Sequence, residues 1–518
     1  MEIYDIVFIG SGLSSSVTLY NILSKIRKHS FFNNGINIAV IEKNNEFWKG
    51  IAYGNRASVH SLTINPVKDF FLEEEKPVFF QWLEKFRSGD QGAITAQEKE
   101  VLNNWILSCS DKLDHADVDG VYIPRFLYGI YLAQKLENII AECKADNLAN
   151  IDLICGEVIN AVKQNKNQYT VEMISVGERL FISTNVLVLS TGGLDISHMN
   201  GNSSNRFLNI EDIYEPSLDA TLNKLDAALK LLPPPIRNIL ITGSNASASE
   251  MVYLLNKRNK INQDSFNKIV ILSSSGLPDR LDVNSDHDHI LKHLKDLEEK
   301  ENYFADALMD AIEKDVKNAL ENQLSAGKIL YSLNERFFKI QKKLSDTEAL
   351  KFFRTHGWSY TRITRRTSED YYIAEAELVK TGKLHFLKGR FIKLCDEQNN
   401  NGGLIFTYKA TDTVIEKEYE DAFPIVINCT GAEHIAKTST TLIKNLLDTE
   451  LLKINENGMG LAVDESLAAN DNLYVIGPLL AGIYTTKYKF WHLENAKRLN
   501  GLASALSNII FSKIVPQV

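Results

Sequence analysis

The sequence predicts an α/β fold with two Rossmann-like domains and a helical insert. Three observations support this prediction. An apolar run that ends in a glycine turn begins at residue 3, and another begins at residue 238. Each is followed by a helical pattern and a further apolar run, which is the order of a βαβ unit. Residues 280–350 are rich in Leu, Lys, Glu and Asp and poor in Gly and Pro, which is typical of helices.

The first βαβ unit has the features of a dinucleotide-binding turn. Residues 3–9 suit a strand buried on both faces, and Gly10, Gly12 and Ser15 follow at the spacing Gly-x-Gly-x-x-Ser. Such glycines let a pyrophosphate approach the backbone, where the helix N-terminus supplies free N–H groups. The next strand, residues 37–41, ends on Glu42, which can accept hydrogen bonds from ribose hydroxyls. Because a carboxylate repels a 2′-phosphate, the unit is predicted to bind FAD or NAD and not NADP.

The second unit departs from the same pattern. Gly243 keeps the first glycine position, but Asn245 stands at the middle one, and a small residue follows at the third. Asn tolerates left-handed backbone better than most residues, although its side chain occupies space. Two interpretations stay open: a nicotinamide site, or a degenerate Rossmann half that no longer binds the coenzyme.

The end of the next strand bears on the choice of coenzyme. Residues 268–272 run into serines, among them Ser273 and Ser275, and no acidic residue follows. Hydroxyl groups, together with Arg280, can accept a 2′-phosphate. NADPH is therefore slightly favoured over NADH.

Two threonine–glycine turns and a late strand suggest a discontinuous first domain. Thr191-Gly192 and Thr430-Gly431 each follow an apolar run, and the strand at residues 473–476 runs into Gly477-Pro478 near the C-terminus. We therefore expect residues 1–195 and 385–518 to form the FAD-binding domain. Residues 196–384 would form the NAD(P)-binding domain, with the helical insert at about 280–350, and residues 384–420 suggest a hairpin around an Asn-Asn-Asn-Gly-Gly turn.

Composition excludes several other classes of protein. A formal net charge of −9 argues against a nucleic-acid surface. The 5 cysteines include no Cys-x-x-Cys pair, so neither a disulfide framework nor a zinc site is expected, and a reducing cytoplasm is the simplest context. No apolar run is long enough to span a membrane. The histidines and aspartates at residues 286–293 suit a solvated helix face better than a metal site.

Several segments spread over the chain resemble a bacterial family of FAD/NAD(P)-binding proteins related to flavin-dependent, N-hydroxylating monooxygenases. The matching segments are residues 50–54, 60–66, 123–132, 356–362, 428–431 and 473–478. One departure concerns the C-terminal Gly-Pro: the family usually continues with a Trp-Glu pair, whereas this chain has Ile483-Tyr484-Thr485-Thr486-Lys487. The lining of the substrate pocket is therefore expected to differ.

The resemblance implies positions for individual residues. Loop 50–66, which contains Tyr53, His60 and Asn65, would lie near the flavin ring, with Arg125 beside it. Of these, His60, Asn65 and Arg125 are the candidates for polar residues that take part in the reaction. Gly477 and Pro478 would bring backbone close to the ribityl and phosphate region.

The function expected from the resemblance is an FAD- and NAD(P)H-dependent monooxygenase. It would hydroxylate a small, amine-bearing substrate with molecular oxygen through a flavin hydroperoxide. Two alternatives stay open: a flavin reductase or dehydrogenase with another electron acceptor, and a non-catalytic flavoprotein that senses or scaffolds. Asn245 keeps the last alternative open.

Overall fold

The computed structural model describes residues 3–29, 35–89, 94–115, 117–199, 208–262, 265–274, 276, 280–281, 288–300, 302–322, 324, 326–396, 404–410, 415–493 and 495–514. The chain divides into two compact units. The first unit comprises Met1–Ser197, Tyr214–Asp219 and Ala432–Val518, and the second comprises His198–Ile213 and Ala220–Gly431. No helix in the described ranges is both long and apolar enough to cross a membrane.

The strands are numbered in chain order. They are β1 (Ile3–Ile9), β2 (Ile36–Glu42), β3 (Ala149–Cys155), β4 (Glu157–Asn165), β5 (Gln168–Ser175), β6 (Glu178–Leu189), β7 (Leu208–Ile210), β8 (Asn238–Thr242), β9 (Lys268–Ser273), β10 (Arg280–Leu281), β11 (Arg366–Thr367), β12 (Leu384–Lys388), β13 (Arg390–Asp396), β14 (Leu404–Lys409), β15 (Glu416–Glu418), β16 (Ile425–Asn428), β17 (Ala468–Asn470), β18 (Leu473–Val475), β19 (Ile483–Tyr484) and β20 (Lys489–Phe490).

The α-helices follow the same order. They are α1 (Leu13–Lys28), α2 (Gly50–Tyr53), α3 (Val67–Phe70), α4 (Glu75–Ser88), α5 (Ala96–Ser108), α6 (Ser110–Asp114), α7 (Arg125–Ala145), α8 (Leu218–Leu231), α9 (Ala246–Asn262), α10 (Lys292–Glu298), α11 (Ala305–Glu321), α12 (Ala326–Gln341), α13 (Asp346–Lys351), α14 (Gly357–Ile363), α15 (Glu369–Lys380), α16 (Thr441–Asp448) and α17 (Ala496–Ile514).

The first unit is built on a sheet in the order β17-β18-β6-β1-β2-β3. Strand β1 pairs in parallel with β2 on one side and β6 on the other, and the antiparallel strands β4 and β5 extend β6. The side chains of Ile6, Val7 and Phe8 are fully buried, as expected for a central strand covered on both faces. Helices α7 and α17 pack against α1. The predicted βαβ unit at the start of the chain is therefore present.

The second unit has a parallel sheet in the order β12-β9-β8-β16-β7. Strands β8 and β9 pair in parallel, with α9 between them in sequence, and this is the second predicted βαβ unit. The described helices between residues 292 and 363, α10 to α14, confirm the helical insert. The sheet therefore presents the carboxyl ends of its parallel strands at one edge, where ligands bind in open α/β sheets.

Residues 384–431 differ from the expected organisation. Strand β12 pairs in parallel with β9, and β16 pairs with β8, so both belong to the sheet of the second unit. The first unit accordingly resumes at Ala432 and not at residue 385, because these strands supply the outer neighbours of the β8–β9 pair. The expected hairpin is shorter than residues 384–420: β13 pairs antiparallel with β14, and the Asn-rich turn lies outside the described residues.

The acidic and histidine residues at 286–293 lie at the start of the insert. Asp288 forms an ion pair with Arg336, whose hydrogen bonds hold the pKa of Asp288 at about 2. His293 bonds through Nδ1 to Asp315, which is fully buried and also accepts the backbone N–H of Leu294. Residues 286 and 287 are outside the described ranges, and no metal-ligand cluster occurs within them. Asp288 is therefore engaged in an ion pair within the insert, and His293 in a hydrogen bond to Asp315.

Candidate functional site

The turn between β1 and α1 accepts only glycine at its first position. Gly10 has φ +91°, and a Cβ atom built there would lie 2.5 Å from the backbone oxygen of Ser190. The N–H of Gly10 donates to the oxygen of Ile41 at 2.8 Å, which ties the turn to β2. This glycine therefore lets three neighbouring strands meet at one point.

Gly12 serves a different purpose from Gly10. It precedes α1 with φ −71°, a conformation that any residue adopts, and the nearest atom to an added Cβ is the Cα of Gly50 at 3.7 Å. Gly50 has φ +61°, and its own Cβ would lie 3.1 Å from the Cα of Gly12. Two glycines thus face each other at the amino end of a 16-residue helix. This helix end, which carries no side chain at either glycine, is a backbone cradle of the kind that a pyrophosphate requires.

Ser15 and Glu42 both hold the cradle in shape. The buried Ser15 hydroxyl donates to the oxygen of Gly10 and contacts the hydroxyl of Ser190. The Glu42 carboxylate accepts from the N–H of Ser11 at 3.0 Å and from the Ser11 hydroxyl at 2.8 Å. Glu42 remains partly exposed, so it can also accept from a ribose hydroxyl. The role of Ser11 has no signal in the spacing pattern.

The last strand brings a further glycine to the cradle. The N–H of Ile476 donates to the oxygen of Leu189 at 2.9 Å, so the chain after β18 follows the end of β6. Gly477 has φ +107°, and a Cβ there would lie 3.4 Å from the hydroxyl of Ser14 in the first turn of α1. Pro478 then begins a short 3-10 turn, Pro478–Leu480. Gly10, Gly12, Gly50 and Gly477 are therefore gathered around the N-terminus of α1.

Gly192 follows β6 in the same unit. It has φ +84°, and an added Cβ would meet no atom within 4 Å. Thr191 beside it is partly buried. The space beside Gly192 is therefore open, and the described contacts assign this turn no further role.

Loop 50–66 is fastened to the segment before α7. The N–H of Thr63 donates to the oxygen of Ile123 at 2.8 Å, and Leu62 bridges to Pro124. Arg125 is only 8% exposed; its N–H donates to the oxygen of Ser61, and its Nε donates to the oxygen of Leu62 at 2.9 Å. The structure therefore brings Arg125 against the loop that carries the other candidate polar residues.

Tyr53 lies at the end of α2 and contacts α7. A Cβ at Gly129 would lie 2.1 Å from the backbone oxygen of Tyr53, so this approach requires glycine. The ring of Tyr53 packs edge-on against Phe70 and Tyr128. Burial raises the pKa of Tyr53 to about 12, although the positive charge of Arg125 opposes the shift. The Tyr53 hydroxyl therefore keeps its proton at physiological pH.

His60 and Asn65 lie on the same loop. The N–H of His60 donates to the Ser58 hydroxyl at 3.2 Å, and His60 is partly buried. Asn65 is partly exposed and comes directly before Pro66, the residue that precedes α3. Tyr53, His60 and Arg125 are therefore tied to one loop, and Asn65 lies at its far end.

The second unit repeats the first-position glycine. Gly243 has φ +96°, and a Cβ there would lie 2.0 Å from the oxygen of Cys429. Its N–H donates to the oxygen of Leu272 at 2.8 Å. Cys429 is buried, and burial raises the pKa of its thiol well above the ordinary value. The thiol is therefore protonated and unsuited to thiolate chemistry.

Asn245 stands at the position of its turn that Gly12 occupies in the first unit, so a side chain is present here. Its Oδ1 accepts from the N–H of Ser247 at 3.1 Å and from the N–H of Ala248 at 3.3 Å. These N–H groups belong to the first turn of α9, the part of a helix that a pyrophosphate would bind. Gly431 has φ +95°, and its added Cβ would lie 3.6 Å from Nδ2 of Asn245. The exposed Thr430 bonds through its hydroxyl to Asn428 at 2.7 Å.

The Ser273 side chain at the end of β9 is hydrogen-bonded within the turn that follows this strand. The hydroxyl of Ser273 accepts from the N–H of Gly276 at 3.0 Å, whereas Ser275 lies outside the described residues. A Cβ at Gly276 would lie 2.7 Å from the Cβ of Lys388, which places an exposed lysine beside this turn. Arg365 donates through Nη1 to the oxygen of Ser244 at 2.9 Å. One positive side chain thus lies beside each of these turns, Lys388 at Gly276 and Arg365 at Ser244, and the sequence pattern alone does not assign Lys388 to this place.

Comparison with known proteins finds a similarity that includes the first of these turns. Residues 7–194 match the model of a family described as FAD-NAD(P)-binding. The match runs from within β1 to just after β6, and so includes the turn between β1 and α1. Over its length the chain is also similar to uncharacterized proteins of Mycobacterium bovis and Mycobacterium tuberculosis, each 28% identical over 516 residues, covering 99% of this chain and 96% of the relative.

Solved structures show the same two-unit architecture. The ornithine N-hydroxylase of Kutzneria sp. 744 is 13% identical, covers 99% of both chains and has a TM-score of 0.52. The cadaverine monooxygenase of Erwinia amylovora, solved with FAD, is 13% identical, covers 99% of this chain and 96% of its own, and has a TM-score of 0.57. The L-lysine 6-monooxygenase of Pseudomonas syringae is 14% identical, with a TM-score of 0.52 and coverage of 99% and 100%. At this identity the likeness establishes the fold.

Proposed function

We propose that this protein is an FAD-dependent monooxygenase that uses NAD(P)H and molecular oxygen to hydroxylate an amine nitrogen of a small substrate. The observation that carries the proposal is the glycine cradle at α1. Gly12, Gly50 and Gly477 present backbone without side chains at the same helix end, where a pyrophosphate could approach the N–H groups of α1. The residues present therefore fit FAD, and Glu42 would take the ribose hydroxyls.

The chemistry would come from the cofactor, and the chain would position it. When bound, FAD supplies hydride acceptance from NAD(P)H and electron transfer to oxygen. The N–H groups at the start of α1 would hold the pyrophosphate, favoured by the helix dipole. Tyr53, whose pKa is raised to about 12, would offer a neutral hydroxyl as hydrogen-bond donor. Arg125 would supply a fixed positive charge, because its backbone and Nε are anchored to loop 50–66.

The second unit would bind the nicotinamide coenzyme. The carboxyl ends of β8 and β9 lie next to each other, and neither is followed by an acidic residue within the next two positions. Lys388 and Arg365 place positive charge near this edge, which supports a 2′-phosphate and hence NADPH over NADH. Because Asn245 occupies the first N–H groups of α9, the coenzyme would have to displace that side chain.

The proposal also specifies a class of substrate, namely small molecules that carry an amine. The three solved enzymes from Kutzneria, Erwinia and Pseudomonas act, by their names, on ornithine, cadaverine and lysine, each of which carries a primary amine. The chain after Gly477-Pro478 forms the β19–β20 pair, where Thr485 and Lys487 lie. This segment would give the pocket a lining of its own, so the particular amine is expected to differ from those three.

A second candidate is a flavoprotein without turnover, and Asn245 favours it because a capped helix end binds a pyrophosphate less well. Oxygen consumption by the FAD-loaded protein separates the two. We expect NADPH-dependent oxygen uptake that rises with a diamine or a basic amino acid, with a hydroxylamine product. Flavin that neither NADPH nor NADH reduces would support the non-catalytic candidate and refute the monooxygenase.

A further inference from the structure

A short segment from the middle of the chain is fastened to the loop that carries His60. Tyr214–Asp219 belongs to the first unit, although the residues before and after it belong to the second. Arg56 donates through Nε to the oxygen of Tyr214 at 2.9 Å and through Nη2 to the carboxylate of Glu215 at 2.9 Å. The oxygen of Arg56 accepts the N–H of Leu218 at 2.8 Å. Three hydrogen bonds therefore join Arg56 to this one segment.

Asp219 makes a second attachment a few residues further along the loop. Its Oδ1 accepts from the hydroxyl of Ser58 at 2.7 Å, and its Oδ2 accepts from the N–H of Val59 at 3.1 Å. Ser58 is 1% exposed, so its hydroxyl has no access to bulk water as an alternative partner. The Asp219 carboxylate thus accepts hydrogen bonds from the side chain of Ser58 and from the backbone of the next residue, Val59. Charge-assisted bonds of this kind are stronger than neutral ones.

The hydrogen bonds that Asp219 makes lead on, through residues 58–61, to the candidate residues His60 and Arg125. With its proton donated to Asp219, the Ser58 oxygen accepts the N–H of His60 at 3.2 Å. The next residue, Ser61, is fully buried; its backbone oxygen accepts the N–H of Arg125 at 2.9 Å, and its own N–H donates to the oxygen of Ser58. A continuous chain of hydrogen bonds therefore runs from Asp219 through residues 58–61 to the start of α7.

We propose that Asp219 is a positioning residue: acting through Ser58, it holds the turn 58–61 and with it His60 and Arg125 in the orientation that the bound flavin requires. The proposal rests on the proposed function, because it assumes that loop 50–66 faces the flavin. Asp219 would not touch the cofactor. Its loss should therefore alter the flavin's surroundings and its rate of reduction while leaving the pyrophosphate cradle intact.

The test compares Asp219→Asn and Ser58→Ala with the wild-type chain, each as the FAD-loaded full-length protein. Asp226→Asn is the matched control, because Asp226 lies on the same helix, α8, and pairs with Arg258. Three quantities are measured: the Kd for FAD, the visible circular dichroism of the bound flavin, and the rate of anaerobic reduction by NADPH. Hydrogen exchange of amides 58–61 in the apoprotein reports the turn without any cofactor.

We expect faster exchange at amides 58–61, an altered flavin dichroism and roughly tenfold slower reduction in both variants, with the Kd for FAD within about twofold of wild type. Asp226→Asn should match wild type in all four measurements. Wild-type dichroism and reduction in Asp219→Asn and Ser58→Ala would overturn the inference, and so would loss of FAD from both. If wild type binds FAD but NADPH does not reduce it, the proposed function fails, and the dichroism and exchange still decide the role of Asp219.

Discussion

Gly10 and Gly12 are two residues apart, yet an added methyl group would meet different surroundings at each. Gly10→Ala would put a Cβ atom 2.5 Å from the oxygen of Ser190 at a φ of +91°. Both the backbone strain and the forced shift oppose folding, so we expect a loss of roughly 2–5 kcal/mol in the free energy of unfolding. Gly12→Ala would put its Cβ 3.7 Å from the nearest atom, an ordinary contact, at a φ of −71°. Its cost should stay below about 1 kcal/mol, since alanine is only a poorer helix cap than glycine.

The effect on FAD affinity should be large for Gly12→Ala even though the fold is spared. The methyl group would cover backbone at the amino end of α1, where the pyrophosphate must approach the N–H groups of the helix. Loss of one or two charge-assisted bonds predicts a Kd for FAD at least about 100-fold higher, or about 2.7 kcal/mol. Gly12→Val, with a branched side chain, should abolish binding.

The assay has two parts, both made on apoprotein. Chemical denaturation gives the free energy of unfolding, and titration with FAD, followed by flavin fluorescence, gives Kd. We predict a stable Gly12→Ala protein that binds FAD poorly. This expectation would be refuted if Gly12→Ala bound FAD like wild type, or if it lost as much stability as Gly10→Ala.

The same geometry makes three further predictions. Gly129→Ala should cost about 1–3 kcal/mol of unfolding free energy and weaken FAD binding, because its Cβ would lie 2.1 Å from the oxygen of Tyr53; unchanged denaturation would contradict this. Asn245→Gly should tighten NADP⁺ binding roughly fivefold, because it releases the N–H groups of Ser247 and Ala248 from the Asn side chain. The same change removes one helix cap and therefore lowers the stability of α9 slightly. Weaker NADP⁺ binding, measured by calorimetry, would contradict this prediction. The difference in tyrosinate absorbance between wild type and Tyr53→Phe, followed against pH, gives the titration of Tyr53. We expect its phenol to ionise near pH 12. Because burial raises this pKa above the unfolded value of about 10, the neutral phenol's contribution to stability is present below pH 10 and is lost as the pH rises toward 12; ionisation near pH 10 would show that Tyr53 is solvated.

Much of the first unit could be predicted from local sequence because its signals are local. A buried strand, a glycine turn and a helix are specified by consecutive residues, and the second strand ends at Glu42, as its apolar pattern predicts. The position of Gly477 follows from chain order, and the structure brings it to the first turn of α1. The helical insert is also visible in composition. In these places local pattern and tertiary structure agree.

The features that sequence reasoning misses depend on contacts between distant residues. Residues 384–388 alternate like a hairpin strand, but they pair in parallel with β9, a choice made by the sheet. Ser11 bonds Glu42 and Asp219 bonds Ser58 across gaps in sequence that no spacing rule covers. Asn245 stands out in the sequence as a departure from glycine, but its use of its own Oδ1 as a cap is visible only in three dimensions.

The flavin content of the purified protein tests the central claim most directly. The full-length chain, expressed with flavin available, should carry FAD without a covalent bond, and denaturation should release it. We predict close to one FAD per chain, in wild type and in Asp226→Asn alike, and much less in Gly12→Val. A colourless wild-type protein that cannot be reconstituted with FAD would contradict the assignment of the cradle at α1 as a flavin site.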